Sequence, residues 1–299
     1  MSNHFLEAAY RSDKALPKRM GWRYISSLLG IVLIWVLGAL PITLIYWLIG
    51  SPDLDNLLVG QALIVVPFAL EIAALAVILP RVHERPLRSL ISAEPRVNYR
   101  RILQGAVVWF SIIAVAVGAD SLVSPENYEL SFELGTWILL FIFSVVLVPV
   151  QTTAEELVFR GYLLQALRLV TKNRLVLIVL TSVAFSIPHW TNPEMARGDF
   201  VWGALAYFAW GVIFSAIALK DNGLELSLGV HAANNIFALV FVNTPDSVIP
   251  TSSLFTYLGF ENNPNLGPKV SLVELLIYGV VFYAIFFGGL PKPKVESGR

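Results

Sequence analysis

The chain has 299 residues, 56% of them hydrophobic and only 14% charged, with 21 basic residues balancing 21 acidic ones. A soluble domain carries about 25% charged residues, so this composition and a mean hydropathy of +0.69 exclude an ordinary soluble enzyme and point to a polytopic membrane protein. The balanced charge leaves no basic stripe for nucleic acid, and the absence of cysteine excludes disulfides, thiolate-bound zinc and a thiol nucleophile. The segment before Tyr24 is polar and basic, with neither a short apolar core nor a cleavage site. It therefore does not read as a signal peptide, and the first span is expected to act as its own insertion signal. Neither a CaaX terminus nor an N-terminal myristoylation pattern is present.

A helix needs about 20 apolar residues to cross a bilayer. Eight runs qualify, at roughly 25–49, 57–80, 102–120, 135–157, 174–190, 200–219, 225–243 and 271–290. The expected fold is an all-α, polytopic helical bundle of about eight transmembrane helices. Pro41, Pro67 and Pro149 should bend the first, second and fourth spans, and Pro188 weakens the end of the short fifth one.

Lys and Arg in short loops set orientation. Arg11, Lys14, Lys18, Arg19 and Arg23 precede span one, and Arg81, Arg85, Arg88, Arg96, Arg100 and Arg101 follow span two. Arg168, Lys172 and Arg174 follow span four, and Lys292, Lys294 and Arg299 end the chain. The alternate loops carry Asp53 and Asp55, then Asp120, Glu126, Glu129 and Glu133, then Glu194 with Arg197. Lys220 and Lys269 alone mark the later loops. This pattern places both termini in the cytoplasm. After span four, the segment 160–170 has apolar residues at 163, 164, 167 and 170, an amphipathic helical spacing. It either lies flat in the interface or prolongs span four.

Charge inside a span is costly, about 2.5–3.5 kcal/mol on insertion scales. Glu155 and Glu156 end a run from Gly135 that is otherwise uncharged. Adjacent helical residues point about 100° apart. Arg160 follows Glu156 by four residues, the favourable spacing and order for an ion pair. Glu156 is thus expected to pair with Arg160, leaving Glu155 to act as a general base. The alternative, that both glutamates only brace helices, stays open on spacing alone. Phe185 and His189 lie four apart, as do His231 and Asn235, with Asn234 on an adjacent face. A His and an Asn on one face can donate to an oxyanion or merely join two helices.

Taken in order, EELVFR (155–160), FSIPH (185–189) and HAANN (231–235) match the patterns EExxxR, FxxxH and HxxxN. This set resembles the CAAX-protease and bacteriocin-processing (CPBP or Abi) family of intramembrane endopeptidases. The resemblance implies a four-helix catalytic core at 135–243. It leaves three spans and a cytoplasmic tail at 1–134, and an external loop, final span and tail at 244–299. It implies that Glu155 and His189 activate a water, that His231 and Asn235 stabilise the oxyanion, and that Glu156, Arg160 and Phe185 support them. No HExxH pattern exists, and the metal-free water is the expectation. Zinc held by Glu155, His189 and His231 with an open position is the alternative.

An antiparallel hairpin turning at Lys172 puts Glu155 and His189 each 17 residues from the turn. Equal arms bring them to one height only if span four continues as a long helix through Val170. His231 fits less well. It lies about 9 Å into span seven, whereas the hairpin arms rise about 25 Å. The heights agree if the hairpin tip projects into the cytoplasm or if 220–229 dips inward. Glu71, mid-span, with Gln61 ten residues earlier, is what a carrier would use, and its role stays open. Glu274 is expected at the interface.

The expected function is hydrolysis of a peptide bond in a peptide or membrane-protein substrate at the lipid bilayer, without nucleic acid. The alternative is a non-enzymatic carrier or helix-binding scaffold. The absence of eukaryotic targeting signals points to a prokaryotic cell membrane.

Overall fold

The structure, a computed structural model, describes residues 4–11, 17–49, 57–196, 200–249, 251–263 and 267–288. Of the charge pattern, Lys14, Asp53, Asp55, Arg197, Lys292, Lys294 and Arg299 lie outside these residues, as does the end of the expected eighth span. The side chains of Arg11, Lys18, Arg19 and Gln61 are likewise outside the description.

Apolar runs that cannot leave backbone groups unpaired in lipid must be helical. The helices are α1 (His4–Arg11), α2 (Pro17–Ile49), α3 (Leu57–Val82), α4 (Tyr99–Val123), α5 (Leu134–Glu156), α6 (Leu164–Leu167), α7 (Arg174–Ser186), α8 (Phe200–Asp221), α9 (Glu225–Val240), α10 (Gly259–Asn262) and α11 (Gly267–Phe287). Polar side chains cap three of them. Asn98 accepts from Arg101 N at the start of α4, Glu133 from Gly135 N and Thr136 N at α5, and Asn173 from Leu175 N and Val176 N at α7. Each satisfies donors that a helix start would otherwise leave unpaired.

Between α5 and α6 the chain is a π-helix, Leu157–Leu163, so Leu134–Leu167 is one continuous helical run of 34 residues. The long-helix reading of span four holds, and 160–170 is not a separate flat helix. The α-helical part of span five ends at Ser186, and Pro188 sits in the 3-10 turn Ile187–Thr191 that follows. Proline removes one i to i−4 bond, which a tighter turn tolerates at its start.

Among the described residues, seven helices are long and apolar enough to cross a membrane. The expected eighth, α9, has 16 residues, about 24 Å at 1.5 Å per residue against a hydrocarbon core of about 30 Å. Every residue from Glu225 to His231 is buried. The first part of the apolar run at 225–243 therefore meets protein rather than lipid, and among the described residues α9 is a short helix beside seven longer spans. A Cβ on Gly105 would lie 2.5 Å from Leu226 O, and one on Gly229 would fall on the Ile102 carbonyl. Only glycine lets the α4 and α9 backbones approach so closely.

Even so, α9 carries the chain from one end of the bundle to the other. At its start Gly223 bridges Ser92, and Leu224 N donates to Ile91 O at 2.6 Å. At its far end β2 (Val242–Asn243) joins a sheet with β1 (Tyr128–Leu130) and β3 (Phe255–Tyr257), in the order β1-β3-β2. Strands of two or three residues are too short to register in the sequence pattern. The end of α11 returns to the α9 start, where Arg101 lies 5.3 Å from the Phe286 ring and bonds Asp221. Phe5 N of α1 donates to Asn222 Oδ1 there at 3.1 Å. α1 and the end of α11 thus share one end of the bundle.

Two apolar cores flank the site. One joins Phe5, Leu90, Leu157, Tyr162 and Leu224, and the other joins Trp109, Phe185, Phe214, Val230 and Phe282. Phe159 packs against both. Leu33, Leu40 and Leu44 on α2, with Ile277 and Val280 on α11, stand exposed, as lipid-facing side chains of a membrane bundle do.

Candidate active site

The end of α5 carries Glu155 and Glu156, the turn after α7 carries His189, and α9 carries His231 and Asn235. The structure brings Glu155, Glu156, Arg160, His189 and His231 into one cluster. The His231 height also resolves. Leu224 packs at Gly161, where a Cβ would lie 3.5 Å from Leu224 Cδ1 and 2.9 Å from Leu90 Cβ. From that contact Glu155 is six residues back along α5 and His231 seven forward along α9. These are nearly equal rises. The stretch before α9 folds against the loop at 87–92, level with Gly161, and the hairpin tip at Lys172 projects eleven residues beyond that contact.

Glu156 and Arg160 are wholly buried and joined at 3.1 Å, Oε1 to Nη1. The same Oε1 meets His231 Nδ1 at 3.1 Å. A carboxylate only accepts, so His231 Nδ1 carries a proton. Across the ring, His231 Nε2 faces Glu155 Oε2 at 3.3 Å. That approach is not a hydrogen bond, so Glu156 is committed to Arg160 and His231 while Glu155 is the carboxylate of the pair that faces both imidazoles. Among the described residues Arg160 Nε and Nη2 have no hydrogen-bond acceptor. Their faces are met instead by rings, with Arg160 Cζ 4.0 Å from the Phe185 centroid and 5.0 Å from that of Phe214. Desolvated cation–π contacts of this kind contribute about 2 kcal/mol. Phe185 of FxxxH thus supports the site through the arginine of EExxxR.

His189 Nδ1 lies 2.8 Å from Phe185 O. A carbonyl only accepts, so Nδ1 donates and the Nε2 lone pair points elsewhere. It points at Glu155 Oε1, 3.9 Å away. That gap separates two acceptors and exceeds a direct hydrogen bond. The His189 side chain is 18% exposed, against 5% for His231 and 0% for Glu156, so the cluster is reached from the His189 side. Each imidazole also lies against an α8 ring. His189 stacks on Tyr207 and His231 on Phe214, both with centroids 4.4 Å apart.

Asn235 lies one turn beyond His231. Trp109 Nε1 approaches Asn234 Oδ1 at 3.4 Å, and Asn234 Nδ2 donates to Asn235 Oδ1 at 3.2 Å. Indole N–H is donor only, so this chain leaves the Asn235 Nδ2 group for another acceptor. Tyr207, Phe214 and Trp109 were not singled out by sequence reasoning, because aromatic residues in apolar spans read as core. The i, i+7 spacing of Tyr207 and Phe214 was the available signal. Glu71 is buried on α3, close enough to Glu155 for the two carboxylates to interact.

Among the described residues no group of three His, Cys, Asp or Glu side chains is arranged to hold a metal ion. Glu155 meets the two imidazoles through different oxygens, and His231 is occupied by Glu156 on its other nitrogen. Each ring is held at Nδ1 with Nε2 toward Glu155, an arrangement that serves the metal-free water and the zinc alternative alike.

Comparison with known proteins gives two matches. A family model described as type II CAAX prenyl endopeptidase Rce1-like matches residues 134–237. The uncharacterized protein YyaK of Bacillus subtilis (strain 168) is 35% identical over 293 residues, covering 92% of this chain and 95% of that protein. No solved structure matches.

Proposed function

The chain belongs to the Rce1-like family of CAAX-type membrane proteases, and from that membership we propose an intramembrane endopeptidase in which Glu155 and His189 activate a water. The observation that carries this reading is the 3.9 Å separation of Glu155 Oε1 and His189 Nε2, with Nδ1 of the same ring committed to Phe185 O. Two acceptors so placed can share one water, whose two O–H bonds point one to each.

Glu155 takes a proton from that water while its oxygen attacks the substrate carbonyl carbon. The Asn235 Nδ2 group, whose own amide oxygen accepts from Asn234, donates to the oxyanion. His231 joins it. Its Nε2, 3.3 Å from Glu155 Oε2, faces the same reacting centre. The proton then passes to the leaving amine as the C–N bond breaks. Glu156 and Arg160 keep His231 in place. No metal takes part in this scheme, and a chelator should leave it intact. Both termini lie in the cytoplasm, by the Lys and Arg of the first loops.

Purified protein assayed on a quenched fluorescent peptide library tests the reading, with peptides offered both with and without a C-terminal prenyl group. Cleavage by wild type and none by Glu155→Ala is the expected result. Equal background from both would favour the rival, a carrier or helix-binding scaffold in which the buried Glu71 has the functional role.

A further inference from the structure

We propose that α8 orients both imidazoles, with Tyr207 and Phe214 as positioning residues. The inference rests on the reading of Glu155 and His189 as the water-activating pair. Seven residues separate Tyr207 from Phe214, just under two helical turns, so both rings project from one face of α8. Each meets a different histidine in the same way. The Tyr207 and His189 planes are inclined by 28°, the Phe214 and His231 planes by 25°, both with centroids 4.4 Å apart. Two offset-stacked pairs from one helix, matched in distance and tilt, are more than incidental core packing.

The contact answers a need. Each imidazole is held at Nδ1, His189 by Phe185 O and His231 by Glu156 Oε1. A ring held at one nitrogen can still swing, and the broad χ2 well of histidine does little to stop it. A swing would carry His189 Nε2 away from Glu155. A stacked ring fixes the plane.

Tyr207 is itself fastened to the segment that bears His189. Its hydroxyl donates to Glu194 Oε1 and accepts from Asn192 Nδ2 at 3.0 Å. Asn192 also donates to Glu194 Oε1 at 3.0 Å. Asn192 and Glu194 follow His189 by three and five residues, so the tyrosine grips the turn at both ends. Phe214 has no hydroxyl. It is held by packing, 1% exposed, stacked on Trp210 with centroids 5.2 Å apart and faced by Arg160.

The test compares Tyr207→Phe, Tyr207→Leu and Phe214→Leu in cleavage kinetics, melting temperature and 15N-histidine NMR. Tyr207→Phe keeps the stack but loses the hydroxyl's hold, and should lose far less than Tyr207→Leu. Tyr207→Leu should lower kcat by up to about 10²-fold, the loss expected of a small misplacement, while KM and melting temperature hold. Its His189 nitrogen signals should change from a single Nδ1–H tautomer to a mixture, with His231 unaffected. Phe214→Leu should disturb the His231 signals in turn. In a His189→Ala background, Tyr207→Leu should cause no further loss. The proposal is overturned if Tyr207→Leu keeps full kcat and unchanged His189 signals. A loss that persists in the His189→Ala background, or one shared in full by Tyr207→Phe, overturns it too. Should Phe214→Leu fail to fold, the half-buried Tyr207 carries the test. Should wild type cleave no peptide, the function fails, and the tautomer signals alone decide the role of α8.

Discussion

Two buried histidine clusters lie along the same helical run, seven residues apart, at Glu155 and at Tyr162. In the second, His83 Nε2 lies 2.8 Å from Tyr162 OH, which donates in turn to Tyr24 O at 3.4 Å. Arg85 Nη1 donates to Gln165 Oε1 at 2.5 Å and lies 5.9 Å from the Tyr24 centroid. His83 and Arg85 are only 2% and 4% exposed. That chain of donors runs one way and ends on a backbone carbonyl, leaving no proton to move. Around Glu155, acceptors face acceptors across a gap. Burial of a histidine does not make a reactive site; two unsatisfied acceptors at a reachable position do.

The largest effect that would break this contrast is on turnover. Glu155→Ala and His189→Ala should each lower peptide cleavage by about 10²–10⁴-fold, the usual contribution of a positioned base, with melting temperature in detergent little changed. Tyr162→Phe should leave cleavage near wild type. Next, Asn235→Ala and His231→Ala should cost roughly 10²–10³-fold, as loss of one oxyanion donor does. Full activity in Asn235→Ala, measured as kcat on the same peptide, would remove that residue from the scheme.

A third prediction concerns stability. Arg160→Ala leaves the Glu156 carboxylate buried without its cation and should destabilise by about 3–5 kcal/mol, seen as lost folded yield and a lower melting temperature. Glu156→Gln should be milder, since the amide oxygen still accepts from Arg160. If Glu155→Ala proves the unstable variant instead, the two glutamates have exchanged roles.

The smallest effect sharpens the comparison through pH. Burial first, then the Arg85 and Arg23 guanidinia, hold the His83 imidazole down at about 4, against an ordinary value near 6.5. Between those two values the unfolded chain binds a proton at His83 that the folded chain does not. Stability should therefore fall as pH drops from about 6.5 to about 4, and this contribution should level off below. His83→Gln should remove that part of the slope in melts run across the window, and leave cleavage at neutral pH unchanged.

Much of the site was legible because helical geometry is local. The four-residue step from Glu156 to Arg160 and the equal arms about Lys172 needed only the rise and turn of a helix. His231 was not, since its height depends on Leu224 meeting Gly161, a contact between distant segments. The α9 run read as a span because burial in protein and burial in lipid select the same side chains. Phe185 could be matched to a pattern, but its seat on the Arg160 guanidinium belongs to tertiary packing. Strands as short as those of the sheet β1-β3-β2 have no period to detect.

The π-helix at Leu157–Leu163 gives the long run of α5 a seam of register. Such a turn holds one more residue than an α-helical path of the same sense, and its bonds reach from i to i+5. In an unbroken α-helix residues seven apart lie on nearly one face, and the extra residue of the π turn shifts that register. Glu155 and Tyr162, seven apart, thereby meet different histidines. The seam therefore lets one helix present two unrelated faces, one to α9 and the His189 turn, the other to the loop that follows α3.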